Sequence, residues 1–152
     1  MRVWRICNGK HAAAAFSGEG AYLYAGRWNP KGVRVVYCSS SLALAALEFF
    51  VHLEPGDASA KLVSMSATIP DGLPIDQLAI ESLPADWRVV GHVDLQQRGA
   101  DWIASGKSVA LRVPSAAVPG EWNVLLNPVH PDFTRITIEA PEPFVFDSRM
   151  FK

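Results

Sequence analysis

The run Ser41-Leu42-Ala43-Leu44-Ala45-Ala46-Leu47-Glu48-Phe49-Phe50-Val51-His52-Leu53 predicts one short helix, apolar nearly all the way round, with Glu48 as its only carboxylate. A helix apolar on every face belongs in a core. A carboxylate placed there is costly unless a cation or hydrogen-bond donors meet it. Two placements follow. Either an arginine satisfies Glu48 inside the core, or Glu48 faces a cavity where a ligand does so. The second placement makes Glu48 the leading functional candidate of the chain.

The surroundings of that helix limit the fold. At 152 residues, 49% hydrophobic and 19% charged, the chain is long and apolar enough for one domain with a proper core. Arg2 to Cys7 alternates as a strand, and Val33 to Cys38 is β-branched and aromatic between Gly32 and a serine cluster. Ser39, Ser40 and Ser41 offer N-caps for the Glu48 helix, and Pro55-Gly56-Asp57 closes it. Lys61 to Ile69 reads as a further strand. The segment holding Pro74 and Pro84 reads as irregular. Asp94 to Ser105 predicts a second helix with Gly99 inside it and Gly106 as its stop. Val109 to Val113, Trp122 to Leu126, Arg135 to Glu139 and Phe144 to Asp147 complete the strands. Short strands with few helices and no regular β-α-β alternation predict an α+β domain over residues 1–152 with a mixed or antiparallel sheet.

Several function classes are disfavoured. The net charge of −1 gives no broad footprint for nucleic acid. His11, His52, His92 and His130 lack metal-ligand spacing, so no metal is expected. The glycines form neither a dinucleotide fingerprint nor a Walker A loop. Cys7 and Cys38 lie in strand-like runs and read as reduced core residues. The N-terminus is too polar for a signal peptide and no run reaches membrane-spanning length, so a soluble cytoplasmic protein is expected.

Other residues can carry chemistry beside Glu48. Gly26-Arg27-Trp28-Asn29-Pro30-Lys31-Gly32 is a rigid turn in which Trp28 offers a flat surface and Arg27 a fork for phosphate or carboxylate. A surface turn with an arginine on a tryptophan is the plain alternative. Ser115, after Pro114, is a turn former or cap on residue type alone. Tyr37 ends the strand that leads into the Glu48 helix and can aim its ring and hydroxyl at the same cavity; a core-edge tyrosine is the alternative. Arg5 is a charge in a short strand, where a solvent-facing position is ordinary. His130 reads as a loop organiser.

Taken in order, Trp4-Arg5, Gly26-Arg27-Trp28-Asn29, Val36-Tyr37, Ala45-Ala46-Leu47-Glu48, Val113-Pro114-Ser115, Leu126-Asn127-Pro128 and His130-Pro131-Asp132-Phe133 resemble the RES domain family, named for an Arg, a Glu and a Ser. Those three correspond here to Arg27, Glu48 and Ser115. The resemblance implies a fold similar to ADP-ribosyltransferases. It implies a toxin of a type II toxin–antitoxin module, paired with an Xre-like DNA-binding antitoxin, with a homodimer inside the complex. It implies NAD as substrate rather than a prosthetic group, consumed by hydrolysis or phosphorolysis, or used for ADP-ribosylation of a protein. Arg5, Arg27, Tyr37, Glu48 and Ser115 would surround the dinucleotide, with Asn127 and His130 on a site loop. A non-catalytic partner-binding module is the competing class. An RNA-cleaving toxin lacks a basic groove with catalytic histidines.

Overall fold

The computed structural model describes residues 1–55, 57 and 60–152. Gly56, within the expected Pro55-Gly56-Asp57 stop, lies outside the described residues. The strands are β1 (Arg2–Asn8), β2 (Val36–Ser39), β3 (Leu62–Thr68), β4 (Ile75–Gln77), β5 (Ala110–Pro114), β6 (Trp122–Leu126), β7 (Thr137–Ile138) and β8 (Glu142–Phe144). The helices are α1 (Glu19–Leu23), α2 (Leu42–Val51) and α3 (Val93–Ser105). The strands form one sheet in the order β4-β5-β6-β2-β1-β3-β7, with β8 also pairing β3. Among the described residues only β4 and β5 pair in parallel; the other pairs are antiparallel. The expected α+β architecture with a mixed sheet is the one observed. β4 falls in the segment expected to be irregular, and α1 in the glycine-rich stretch.

Strand parity sorts the side chains onto two faces. Val36 and Cys38 of β2, and Val124 and Leu126 of β6, join Val3 and Cys7 of β1 in one core cluster. Tyr37, Leu125, Leu111 and Val113 point the other way, into a cluster with Leu95 and Trp102 of α3. Trp4 and Ile6 of β1 pack with Leu42, Ala45 and Ala46 of α2. Both longer helices therefore cover the face that holds the odd-numbered residues of β2, β5 and β6.

α3 buries Leu95, Gly99 and Trp102, which recur at helical spacing, and ends on Gly106 in the left-handed region at φ 62°. Gly99 weakens helix propensity, yet its place is fixed by packing. A Cβ there would stand 1.7 Å from the carbonyl oxygen of Trp28. The missing side chain lets α3 lie directly on the backbone of the Gly26–Asn29 turn.

α2 corrects one expectation. Its Ser41 cap is as expected, the hydroxyl accepting from the Leu44 amide at 3.1 Å. The helix is not buried all round, however. Only Leu44 and Ala45 are buried, while Leu47 is 40% and Val51 59% exposed. One face rests on β1 and β2, Phe49 and Phe50 meet Phe146 and Phe151 of the C-terminal segment, and the stripe Ala43, Leu47 and Val51 is exposed. Trp28 is also corrected: it is 2% exposed and part of the α3 core, not a surface platform.

Candidate active site

Glu48 lies four residues after Leu44 and three after Ala45, on the same face as the two buried residues of α2. That spacing turns its carboxylate toward the sheet. Across the sheet below, the register aligns Trp4 with Ser39, Ser39 with Asn123, and Asn123 with Val113. Ser39 and Asn123 share the parity of Tyr37 and Leu125, so both face the helices. Ser115 follows two residues after Val113.

These placements converge. The Ser115 hydroxyl donates to Glu48 Oε1 at 2.6 Å, and the Asn123 side-chain amide donates to the same oxygen at 2.6 Å. Ser115 is 2% exposed, and its Oγ accepts from the amides of Ala117 and Val118 at 3.1 and 3.0 Å. With its lone pairs taken by two backbone donors, its proton is left for the carboxylate. Ser115 is thus both the turn former its position suggested and a direct partner of Glu48. Among the described residues no ion pair involves Glu48, so neutral donors rather than an arginine satisfy it. Both donors use Oε1. Oε2 has no hydrogen bond among the described residues and is not a buried orphan, which leaves it open to a ligand.

Arg27 is half-buried. Its Nη1 donates to the Trp87 carbonyl at 2.9 Å, and its guanidinium stands 5.9 Å from the Trp87 ring centre. The arginine-on-tryptophan pairing is present, but with Trp87 in place of Trp28. Burial pulls the Arg27 pKa down, Glu48 and Tyr37 push it back up, and Arg88 adds to the lowering. Arg27 therefore lies within the field of Glu48 without touching it.

Tyr37 and Arg5 belong to a neighbouring cavity. The Tyr37 hydroxyl donates to Asn29 Oδ1 at 2.5 Å and accepts from the Trp28 amide at 3.0 Å. Asn29 is wholly buried, and its Nδ2 donates to the carbonyls of Ala21, Tyr24 and Pro30. Burial raises the Tyr37 pKa strongly, against the opposing Trp28 amide and Arg27. Gly26 is needed here, since a Cβ would meet Asn29 Oδ1 at 2.7 Å and the Tyr37 hydroxyl at 2.8 Å. β1 and β2 share only the Trp4–Ser39 pair. Beside it Arg5 donates from Nη1 to the Tyr37 carbonyl at 3.3 Å, while its Nε is buried without a partner among the described residues. Arg5, Tyr37, Gly26 and Asn29, with Gly18 and Gly20, line a cavity of about 260 Å³. Arg5 is thus not solvent-facing. A larger cavity of about 440 Å³, walled by Leu62, Val63, Phe144, Phe146 and Phe151 among others, holds none of the expected site residues.

Asn127 and His130 stand apart from both clusters. Asn127 is buried; its Nδ2 donates to the Ile103 carbonyl and its Oδ1 accepts from the Val129 amide. His130 Nε2 meets the Gly106 carbonyl at 2.9 Å, and its Nδ1 accepts from the Asp132 amide. Both fasten the loop after β6 to the end of α3, and neither contacts Glu48 or lines the cavity. His130 organises its loop, as its setting suggested. Asn123 was missed from sequence, and Ser39, expected as an N-cap candidate, instead ends β2. The available signal was a polar residue inside the otherwise apolar strand Trp122–Leu126, the same kind of signal that singled out Glu48 in its helix.

Comparison with known proteins gives the family. The RES domain pattern covers residues 2–147. This chain belongs to the RES domain family. It is 38% identical to a Toxin Res of Photorhabdus laumondii over 154 residues, spanning 100% of this chain and 98% of the relative. It is 36% identical to a Toxin Res of Yersinia enterocolitica, with 99% of each chain covered. It is 37% identical to a Prs ADP-ribosylating toxin of Sphingobium sp., covering 98% of this chain and 96% of that one. In fold, this RES domain is similar to a chain in the crystal structure of the M. tuberculosis MbcT–MbcA toxin–antitoxin complex. The TM-score is 0.76 at 16% identity, over 94% of this chain and 83% of that one.

Proposed function

We propose that this RES domain is the toxin of a toxin–antitoxin pair and that it cleaves the bond between nicotinamide and ribose in NAD. The carrying observation is Glu48, an α2 carboxylate held through Oε1 by two neutral donors, with Oε2 left open. Loss of nicotinamide leaves positive charge on the ribose, in a transition state resembling an oxocarbenium ion. A carboxylate fixed beforehand beside that carbon stabilises the developing charge without reorganising during the reaction. Ser115 and Asn123 supply the fixing. No positive partner is paired to Glu48 among the described residues, so its negative charge is not already spent on a protein cation.

Arg5 and Arg27 suit the pyrophosphate. The Arg5 Nε donor is buried and unpartnered beside the cavity, and such a group gains most from an anionic acceptor. Tyr37 supplies the floor of the same cavity. Its hydroxyl is already committed to Asn29, so its share in binding is through its ring. Ser115 keeps its hydroxyl proton directed at Glu48 Oε1 and acts as an orienting group rather than as the attacking atom. The acceptor is water or phosphate.

A second reading is favoured by one observation, the 37% identity to a protein named as a Prs ADP-ribosylating toxin. Transfer of ADP-ribose to a protein needs the same Glu48 and the same ribosyl charge, with a side chain as acceptor. The partner proposed is an Xre-like DNA-binding antitoxin, and the site of action the cytoplasm. No helix among the described residues is long and apolar enough to cross a membrane.

The test is nicotinamide release from NAD by antitoxin-free protein, with and without phosphate, using adenine-labelled NAD. Soluble ADP-ribose, or its phosphorylated form when phosphate is present, is expected from the wild type. Label on a macromolecule selects the second reading. Folded Glu48→Gln protein is expected to lose most turnover; wild-type-like turnover in that variant removes Glu48 from the chemistry.

A further inference from the structure

We propose that Asn123 is a positioning residue for the reaction, and that the Ser39–Asn123 pair sets which oxygen of Glu48 faces the substrate. The proposal rests on the NAD-cleavage reading and assigns a role to residues outside the Arg, Glu and Ser for which the family is named.

The argument starts from the sheet. Asn123 lies on β6 between β5 and β2, opposite Val113 on one side and Ser39 on the other. Its backbone is therefore held from both flanks, and its side chain rises from a rigid base toward α2. The Ser39 hydroxyl, 3% exposed, donates to Asn123 Oδ1 at 2.7 Å. That bond fixes the amide with its NH₂ group toward α2. The NH₂ group then donates to Glu48 Oε1 at 2.6 Å. Ser115 approaches the same oxygen from the β5 side, also at 2.6 Å. Two donors, one just after β5 and one on β6, converge on one oxygen and restrain the carboxylate. Glu48 is a long side chain on a helix with one uncovered face, and without these bonds several rotamers are open to it.

The roles of the two donors differ. Ser115 is held by the backbone of its own turn, so its direction is set locally. Asn123 is held through Ser39, so its direction depends on pairing between β2 and β6. The amide also offers a donor that does not titrate. An aspartate at this position would place a second carboxylate against Glu48, and the pair would then share a proton.

The experiment measures steady-state nicotinamide release, its pH profile and thermal unfolding for wild type, Asn123→Ala, Asn123→Asp and Ser39→Ala. For Asn123→Ala, kcat is expected to fall about 100-fold, as misplacement of a reacting group can cost, while KM for NAD changes by less than about threefold and the protein stays folded. Ser39→Ala is expected to lose less in the same direction. In Asn123→Asp the acidic limb of the kcat profile is expected to move upward by more than about one pH unit. That displacement is not produced by a purely structural defect. An unchanged kcat in folded Asn123→Ala, or an unmoved acidic limb in Asn123→Asp, overturns the proposal. If the wild type releases no nicotinamide, it is the NAD reading that falls. Asn123 is then judged by growth arrest on induced expression: relief by Asn123→Ala at wild-type protein level, matching Glu48→Gln, supports it, and undiminished arrest overturns it.

Discussion

Tyr37 shows how one hydroxyl can serve the fold and the site together. It donates to the wholly buried Asn29 and accepts from the Trp28 amide. Tyr37→Phe leaves both groups without that partner in a place water does not readily reach. The expected cost is about 1–3 kcal/mol of stability, read as a lower Tm and a shallower denaturant midpoint. The ring remains, so KM for NAD is expected to change little in the fraction that stays folded. Arg27 belongs to the opposite case. Its guanidinium is anchored by the Trp87 carbonyl and feels Glu48 without contacting it. Arg27→Ala is expected to raise KM for NAD by about tenfold or more, the scale of one charge-assisted contact, with little change in Tm. An unchanged KM in initial-rate measurements would return Arg27 to a structural role in its turn.

At the scale of elements, the decisive contact is α3 against the Gly26–Asn29 turn. Gly99→Ala sets a methyl group against the Trp28 carbonyl oxygen, where only 1.7 Å is available. Helix propensity alone would favour alanine by about 1 kcal/mol, but this overlap is with backbone and no rotamer relieves it. The expected net result is destabilisation by about 3 kcal/mol or more, seen in thermal melts. A higher KM should accompany it, because the turn that moves carries Arg27. The same contact marks where sequence reading stops. The strands β1, β3, β5 and β6 and the helices α2 and α3 were legible because apolar spacing, serine caps and glycine stops agree locally. β4 and α1 were not, because Ile75–Gln77 is a three-residue strand among prolines and Glu19–Leu23 follows Gly18 and contains Gly20. Glu48 and Ser115 were legible as polar groups where apolar or turn residues stood around them. Their contact was not, since it needs the register that puts Ser39 opposite Asn123 and Asn123 opposite Val113. Register is a property of paired strands, and no single segment carries it. Trp28 was misread for the same reason: a tryptophan in a glycine-rich turn reads as surface until α3 is laid over it.

For the molecule as a whole, burial raises the pKa of three groups, and their ionisation weakens the fold at alkaline pH. Burial pushes the Cys38 thiol up from 9.0 to about 12, with Arg5 opposing. It raises the Cys7 thiol against the same arginine, and it raises Tyr37. In the unfolded chain these groups titrate near their ordinary values, 9.0 for the thiols and 10.0 for the tyrosine. Between those values and the raised folded ones, the native state holds protons that the unfolded state has released. Stability must then fall as pH rises, because the slope follows the protons bound unfolded minus those bound folded. The contribution is complete below about pH 9 and is lost progressively toward pH 12. A Tm that is flat from pH 7 to pH 8.5 and declines steadily above pH 9 is expected. The two thiols give an independent check. They are buried, and a thiol reacts through its thiolate, so a thiol reagent at pH 8 is expected to modify neither Cys7 nor Cys38 until denaturant unfolds the chain. Cys38→Ala should flatten part of the alkaline decline, since it removes the more strongly raised of the two thiols from the balance. An alkaline Tm profile identical to the wild type would show that Cys38 keeps an ordinary pKa in the folded protein and that its burial does not exclude water.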